Sequence, residues 1–256
     1  MLSELKTQFN VLKALAIHNL QGQMKSYNYG FAWVILEPLV FIAGFRLMRK
    51  FLGGMASPSG MTPLLFYVLG VMPLYLCFEG IRAYSIAASP SKMLSFPRIT
   101  PVDMALGAAI SSFAVYFVLF WLVAVPVSIY ENVWPPENIL SIMFALISAW
   151  LLGISFGLII SGAYRVFPPT KQFVSYISFA LRIGGGMFFS ITMIPIAWWP
   201  LFSWNPVFQV TEIIRDAWYE SYVSPIADPI FVVECILGML LLGLSIERFM
   251  RRVPYA

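Results

Sequence analysis

Two stretches of this chain, 104–129 and 139–163, run without a single charged residue and are apolar almost throughout. About 20 mostly apolar residues suffice to cross the hydrocarbon core of a bilayer as a helix. Lipid offers the backbone no hydrogen bonds, so a spanning segment must pair its own N–H and C=O groups, and a run of this kind does so as an α-helix. Composition agrees: of 256 residues, 60% are hydrophobic and 11% charged, against about 25% charged in an ordinary soluble domain. Four further segments qualify with an interruption. Segment 31–48 holds Glu37 and Arg46, 64–78 is short but extends to Arg82, 173–194 holds Arg182, and 230–246 holds Glu234. The expected fold is all-α, a polytopic membrane protein with six transmembrane helices in one transmembrane domain, 1–256.

Lys and Arg gather in the short cytoplasmic loops of membrane proteins. With both termini inside, the cytoplasmic segments hold Lys6, Lys13 and Lys25, then Lys92 and Arg98, then Arg165 and Lys171, then Arg248, Arg251 and Arg252. The outer loops then hold Glu131 and Glu137, and further on Glu212, Asp216, Glu220 and Asp228 against Arg215. Arg46, Arg49 and Lys50 run against this bias. Basic residues scattered in this way serve topology and do not suggest nucleic acid.

The first 28 residues lack the continuous apolar stretch of a cleavable leader. Leu2, Leu5, Phe9, Leu12 and Ala16 instead recur at three- and four-residue steps, which predicts an amphipathic helix along the cytoplasmic interface or against another protein. The cytoplasmic loop 83–103 contains Pro90, Pro97 and Pro101, so no long helix runs through it, and a short one is expected around 91–95. Segment 195–229 is too polar to span and carries Trp198, Trp199, Trp204, Trp218, Tyr219 and Tyr222. Trp and Tyr collect at the headgroup level, which predicts short helices lying in the outer interface.

The chain has no G-x-x-x-x-G-K-[ST] loop, so it is not expected to hydrolyse ATP alone. Its single histidine, His18, makes a histidine-based metal site hard to build, and no metal ligand set is assigned. Cys77 and Cys235 lie in apolar stretches and read as two buried thiols. Gly153-Ile154-Ser155-Phe156-Gly157 fits the G-x-S-x-G nucleophile pattern, but that motif works on a strand-to-helix turn. In an apolar helix the same residues form G-x-x-x-G, a close-packing face.

Charges inside spans are more informative, because one at a helix centre costs about 2.5–3.5 kcal/mol on insertion scales and so faces the bundle interior or a water path. Arg182 lies about 15 Å into its span and Glu37 about 10 Å into the first, counted from the same side. The two are expected to face each other or a shared water-filled path, with spans one and five as neighbours. Glu79 and Arg82, three apart, suit a local pair.

Three elements together resemble the permease subunits of ABC-2 type polysaccharide exporters, in particular the capsular polysaccharide export permeases. The first is Tyr29-Gly30-Phe31-Ala32-Trp33-Val34-Ile35-Leu36-Glu37-Pro38 entering span one. The second is Phe96 with Pro101-Val102-Asp103 before span three. The third is Trp204-Asn205-Pro206 followed by Glu212 and Arg215. The resemblance covers essentially the whole chain. It departs at His18-Asn19-Leu20-Gln21-Gly22-Gln23, where such permeases are often arginine-rich.

The resemblance implies a homodimer with a conduit between its copies, in the inner membrane of a Gram-negative bacterium. Two copies of a separate ATPase subunit would bind ATP and Mg, and this chain itself would hold no cofactor. The cargo would be a lipid-linked polysaccharide, with a periplasmic co-polymerase and an outer-membrane exporter as further partners. Ser91, Met93, Leu94, Phe96 and Asp103 become candidates for ATPase coupling. Aromatic faces can stack on sugar rings and let them slide, so Trp33, Phe41, Tyr176 and Phe179 join Glu37 and Arg182 as candidate conduit residues. The rival readings are an ABC-2 exporter of another cargo (O-antigen, teichoic acid or a drug) and a membrane enzyme acting on lipid-linked sugars.

Overall fold

The computed structural model describes residues 2–25, 30–51, 60–87, 100–166 and 170–250. In chain order the helices are α1 (Leu2–Lys25), α2 (Gly30–Phe51), α3 (Pro63–Ala87), α4 (Pro101–Tyr130), α5 (Ile139–Val166), α6 (Thr170–Gly184), α7 (Trp199–Ser203), α8 (Pro206–Trp218) and α9 (Pro229–Met250). Two single 3-10 turns, Ile191–Met193 and Ile196–Trp198, precede α7. Among the described residues, four stretches are long and apolar enough to cross a membrane: Pro63–Tyr84, Val102–Tyr130, Ile139–Tyr164 and Pro229–Phe249.

Local chemistry sets the helix starts. Thr100 and Asp103 form a capping box at α4: Thr100 Oγ1 accepts from the Asp103 N–H at 3.2 Å, and Asp103 Oδ2 accepts from the Thr100 N–H at 2.9 Å. Pro101 follows at the first turn, where its missing N–H costs nothing. The Glu131 carboxylate, just beyond α4, reaches the start of α3 and accepts from the N–H groups of Leu64 and Leu65 at 3.1 and 2.9 Å. Asn205 caps α8 by accepting from Val207 and Phe208.

These contacts tie the ends of the bundle together. α2, α4 and α6 run from one end, α3, α5 and α9 return to it, and α3 lies at the centre, packed against α4, α5, α8 and α2. α9 is the most open of the spans, with Leu237, Leu241 and Leu244 on its outer side.

The close-packing reading of Gly153 and Gly157 holds. A Cβ on Gly153 would overlap the Cys77 carbonyl, and one on Gly157 would lie 2.8 Å from the Tyr84 Cβ, so α5 meets α3 backbone to backbone. The Ser155 hydroxyl donates to the Leu151 carbonyl of its own helix at 2.7 Å.

Two expectations need correction. The predicted span 173–194 is not one helix. α6 stops at Gly184 after 15 residues, about 22 Å of length against a hydrocarbon core of about 30 Å. Gly186 then turns the chain at φ +80°, a conformation glycine adopts without steric penalty. The region 195–229 does not lie wholly along an interface either: α8 is buried on nearly every residue, between α3, α5 and α9. α1 forms as expected and packs through Leu15 against Gly107 of α4, while Phe9 on its apolar stripe is 68% exposed. α3 touches both α2 and α6, with Tyr75 reaching Glu37 of the first and Arg182 of the second.

Candidate functional site

Two polar arrangements lie within this apolar bundle. The first is a cleft of about 380 Å³ between α2, α3 and α6. Glu37 lines it from α2, Tyr75, Phe78, Glu79 and Arg82 from α3, and Ser175, Ser178, Phe179 and Arg182 from α6. Counting from the helix ends at the same side of the bundle, Arg82 lies about 8 Å deep, Glu37 about 10 Å, Glu79 about 12 Å, and Tyr75 and Arg182 about 18 Å. The cleft therefore runs from about one quarter to beyond one half of the roughly 30 Å hydrocarbon core.

Inside it, Tyr75 joins the two charges expected to face each other. Its hydroxyl donates to Glu37 Oε1 at 3.2 Å, while the Arg182 guanidinium stands 5.5 Å from its ring and 5.1 Å from that of Phe78. Glu37 and Arg182 thus share the cleft, and among the described residues they form no direct ion pair. Glu79 and Arg82 do pair, at 3.3 Å.

The other candidate conduit residues separate. Phe179 borders the cleft and is 64% exposed. Tyr176, on the same helix, is exposed outside the cleft lining. Phe41 packs against the core. Trp33 belongs to α2, and its side chain lies outside the described residues. Of the coupling candidates, Ser91, Met93, Leu94 and Phe96 also lie outside them. Asp103 is 5% exposed, holds the α4 cap and accepts from the Gln8 side chain of α1. In this structure it is a positioning residue that ties α1 to the start of α4.

The second arrangement surrounds the break after α6. Non-helical backbone at membrane depth is tolerated only where protein or a water-lined cavity satisfies it. Here α8 supplies the donors. Asn205 Nδ2 donates to the Gly184 carbonyl at 2.9 Å, Thr211 Oγ1 to Gly185 at 2.9 Å, and Arg215 to Gly186 and Phe189 at 2.5 and 3.0 Å. The Arg215 side chain is fully buried, lies 4.0 Å from the Phe66 ring centroid and pairs with Glu212 at 3.2 Å. The second Glu212 oxygen accepts from Ser224 at 2.8 Å and from the Tyr222 hydroxyl. At the neighbouring end of the bundle Tyr219 shares a hydrogen bond with Thr62 at 2.9 Å. Burial pushes the Tyr219 phenol up to about 12, and the Glu131 carboxylate acts in the same direction.

Part of this network was visible in the motif Trp204-Asn205-Pro206 with Glu212 and Arg215. Thr211, Tyr222 and Ser224 carried no signal, because their partners lie in other parts of the chain or follow from the fold.

Comparison with known proteins bears on the whole length. The polysialic acid transport protein KpsM of Escherichia coli is 22% identical over 254 residues, covering 96% of this chain and 95% of that protein. The capsule polysaccharide export inner-membrane protein CtrC of Neisseria meningitidis serogroup A is 25% identical over 264 residues, covering 98% and 96%. The chain is similar over almost its whole length to both of these polysaccharide-export proteins. A third such relative, the capsule polysaccharide export inner-membrane protein BexB of Haemophilus influenzae, is 22% identical over 245 residues, covering 94% and 91%. No family model matches the chain. The resemblance to capsule-export permeases read from the motifs therefore extends across the described helices, including the segments that build both polar arrangements.

Proposed function

We propose that the chain is the membrane-spanning permease subunit of an ABC transporter that exports a lipid-linked capsular polysaccharide across the bacterial inner membrane. The observation that carries this reading is the near full-length similarity to capsule-export proteins. In this reading α2, α3, α4, α5, α9 and the broken unit of α6 with its following turn provide six crossings, with both termini cytoplasmic. Two copies form a homodimer around the conduit. Two copies of a separate ATPase subunit bind ATP and Mg and dock through the segment 91–96. A periplasmic co-polymerase and an outer-membrane exporter take over the polymer.

The geometry gives the reading a physical route. A polar cleft reaching the middle of a span lets hydroxyl-rich cargo enter the apolar layer without losing all its hydrogen bonds, a loss that costs several kcal/mol per group. Glu37, Phe179 and Arg182 sit where such cargo would pass, and Trp33, Phe41 and Tyr176 belong to the same two helices.

Deletion of the gene in the bacterium that carries it tests the proposal. Surface polysaccharide should disappear while polymer accumulates inside the cell, and the wild-type gene should reverse both effects. Unchanged surface polysaccharide in the deletion strain would overturn it.

A further inference from the structure

The cleft between α2, α3 and α6 holds one charged pair and two charges left over. Glu79 and Arg82 satisfy each other near its mouth. Deeper in, Glu37 accepts from the Tyr75 hydroxyl through one oxygen, and its second oxygen has no donor among the described residues. The Arg182 guanidinium stands over the rings of Tyr75 and Phe78 and has no acceptor among the described residues. Tyr75 links the two. Glu37 Oε1 lies 3.2 Å from its hydroxyl, and the guanidinium carbon of Arg182 lies 5.5 Å from its ring centre. With the roughly 3 Å from ring centre to hydroxyl, the two charges stand within about 12 Å of each other. At membrane depth each carries an insertion cost that a counter-charge relieves.

A simple anion would neutralise Arg182 and leave Glu37 as it is, and a simple cation would do the reverse. A group that carries both charges serves both residues. Phosphoethanolamine is such a group. Its phosphate accepts from a guanidinium in the forked geometry arginine favours, and its ammonium brings three N–H donors to a carboxylate. Phosphorus and nitrogen lie about 5 Å apart along an extended chain of single bonds. A hydrogen bond of about 3 Å at each end extends the reach to the scale of the gap between Glu37 and Arg182.

The surroundings favour a lipid as the source of that group. Leu36 and Val40 flank Glu37 on α2, Phe179 and Ile183 flank Arg182 on α6, and all four are exposed. Acyl chains can lie on these apolar faces while the headgroup enters the cleft, where Ser175 and Ser178 line the wall before Arg182. Charged pockets between transmembrane helices serve as headgroup sites elsewhere.

We propose that the cleft is a headgroup site for a zwitterionic phospholipid, with Arg182 on the phosphate and Glu37 on the ammonium of phosphoethanolamine. The site needs only the membrane placement of the bundle and stands whatever the cargo is. A lipid held there occupies the proposed cargo path and has to leave before cargo enters.

Titration of the purified full-length permease in detergent with short-chain phospholipids, followed by native mass spectrometry, tests this. Phosphatidylethanolamine should fill one site per chain. It should bind at least about tenfold more tightly than phosphatidylglycerol, which lacks the ammonium, and than phosphatidylcholine, whose methylated nitrogen has no N–H to donate. Glu37→Gln and Arg182→Gln should each weaken phosphatidylethanolamine by about tenfold, the effect of losing a hydrogen bond to a charged group. Glu37→Gln alone carries the test if Arg182→Gln does not fold. Removing the outer pair together, Glu79→Gln with Arg82→Gln, should leave the lipid preference within about threefold of wild type. Equal binding of the three lipids by the wild type would overturn the proposal. So would a preference that Glu37→Gln leaves unmoved, or one that the outer double variant abolishes. Displacement of the lipid by water-soluble O-phosphoethanolamine at equal concentration would give the site to a soluble ligand and overturn the lipid assignment. None of these results bears on the phenotype of the deletion strain, which tests the export reading separately.

Discussion

Replacing Arg215 with methionine keeps most of the side-chain volume and removes one charge from a fully buried site. Three polar contacts go with it, the donations to the Gly186 and Phe189 carbonyls and the pairing with Glu212, along with the cation contact on the Phe66 ring. Glu212 keeps Tyr222 and Ser224 as donors but loses its counter-charge. Breaking a buried pair from one side costs about 3–5 kcal/mol, because the remaining charge stays buried. For a chain of this size 1 kcal/mol corresponds to roughly 2–4 °C in melting temperature, so Arg215→Met should melt about 10 °C lower. Removing the second charge as well, with Glu212→Gln, relieves the uncompensated carboxylate but not the two carbonyls, each worth about 1–3 kcal/mol when orphaned. The double variant should therefore remain below wild type and be no worse than Arg215→Met alone. Recovery of monodisperse protein after heating in detergent measures all three. A single variant melting within about 3 °C of wild type, equivalent to about 1 kcal/mol, would refute the reasoning. So would a double variant whose loss equals the sum of the singles.

Asn205 carries two separable roles: Asn205→Asp keeps the acceptor that caps α8 and loses the donor to Gly184, so it should fall between wild type and Asn205→Ala, which loses both and should cost about 2–3 kcal/mol in the same heating assay. Gly153→Ala would force α5 off the Cys77 carbonyl and should lower stability by about 1–3 kcal/mol, whereas Ser155→Ala should leave surface polysaccharide at its wild-type level; loss of export in that variant would reopen the nucleophile reading. In a variant without native cysteines, an impermeant thiol reagent applied to intact cells should label Glu137→Cys and spare Ser91→Cys, and the reverse pattern would invert the proposed topology. Leu94→Asp combined with Phe96→Asp should abolish export without loss of the folded permease, and normal capsule in that variant would remove the coupling role from 91–96.

Much of the bundle was legible because lipid makes severe demands on sequence: the stretches 104–129 and 139–163 could hardly be anything but helices, and they are α4 and α5. The Gly153–Gly157 face was legible for a related reason, since two small residues one turn apart mark where backbones approach. Depth arithmetic placed Glu37 and Arg182 on one polar path, but not the tyrosine that joins them. Tyr75 sits in an apolar run where every aromatic looks like core. α8 was misread because Trp218, its charges and the tryptophans that precede it have the composition of an interfacial segment. Asn205, Thr211 and Arg215 instead serve carbonyls at 184–189, some 21 to 29 positions away, and no local pattern reports a partner at that distance.

The break after α6 also has a mechanical consequence. Four carbonyls at 184–189 depend on side chains spaced along α8, so sliding or rotating α8 by itself would strand them together in a region with little water. Rotation of α8 by the angle of a single residue, about 100°, would unseat Asn205, Thr211 and Arg215 at once. The turn and α8 therefore travel as one piece, and any opening of this part of the bundle must flex at the joints beyond it: in the stretch from Ser190 to Trp204, or where Tyr219 and Thr62 meet across the adjoining end.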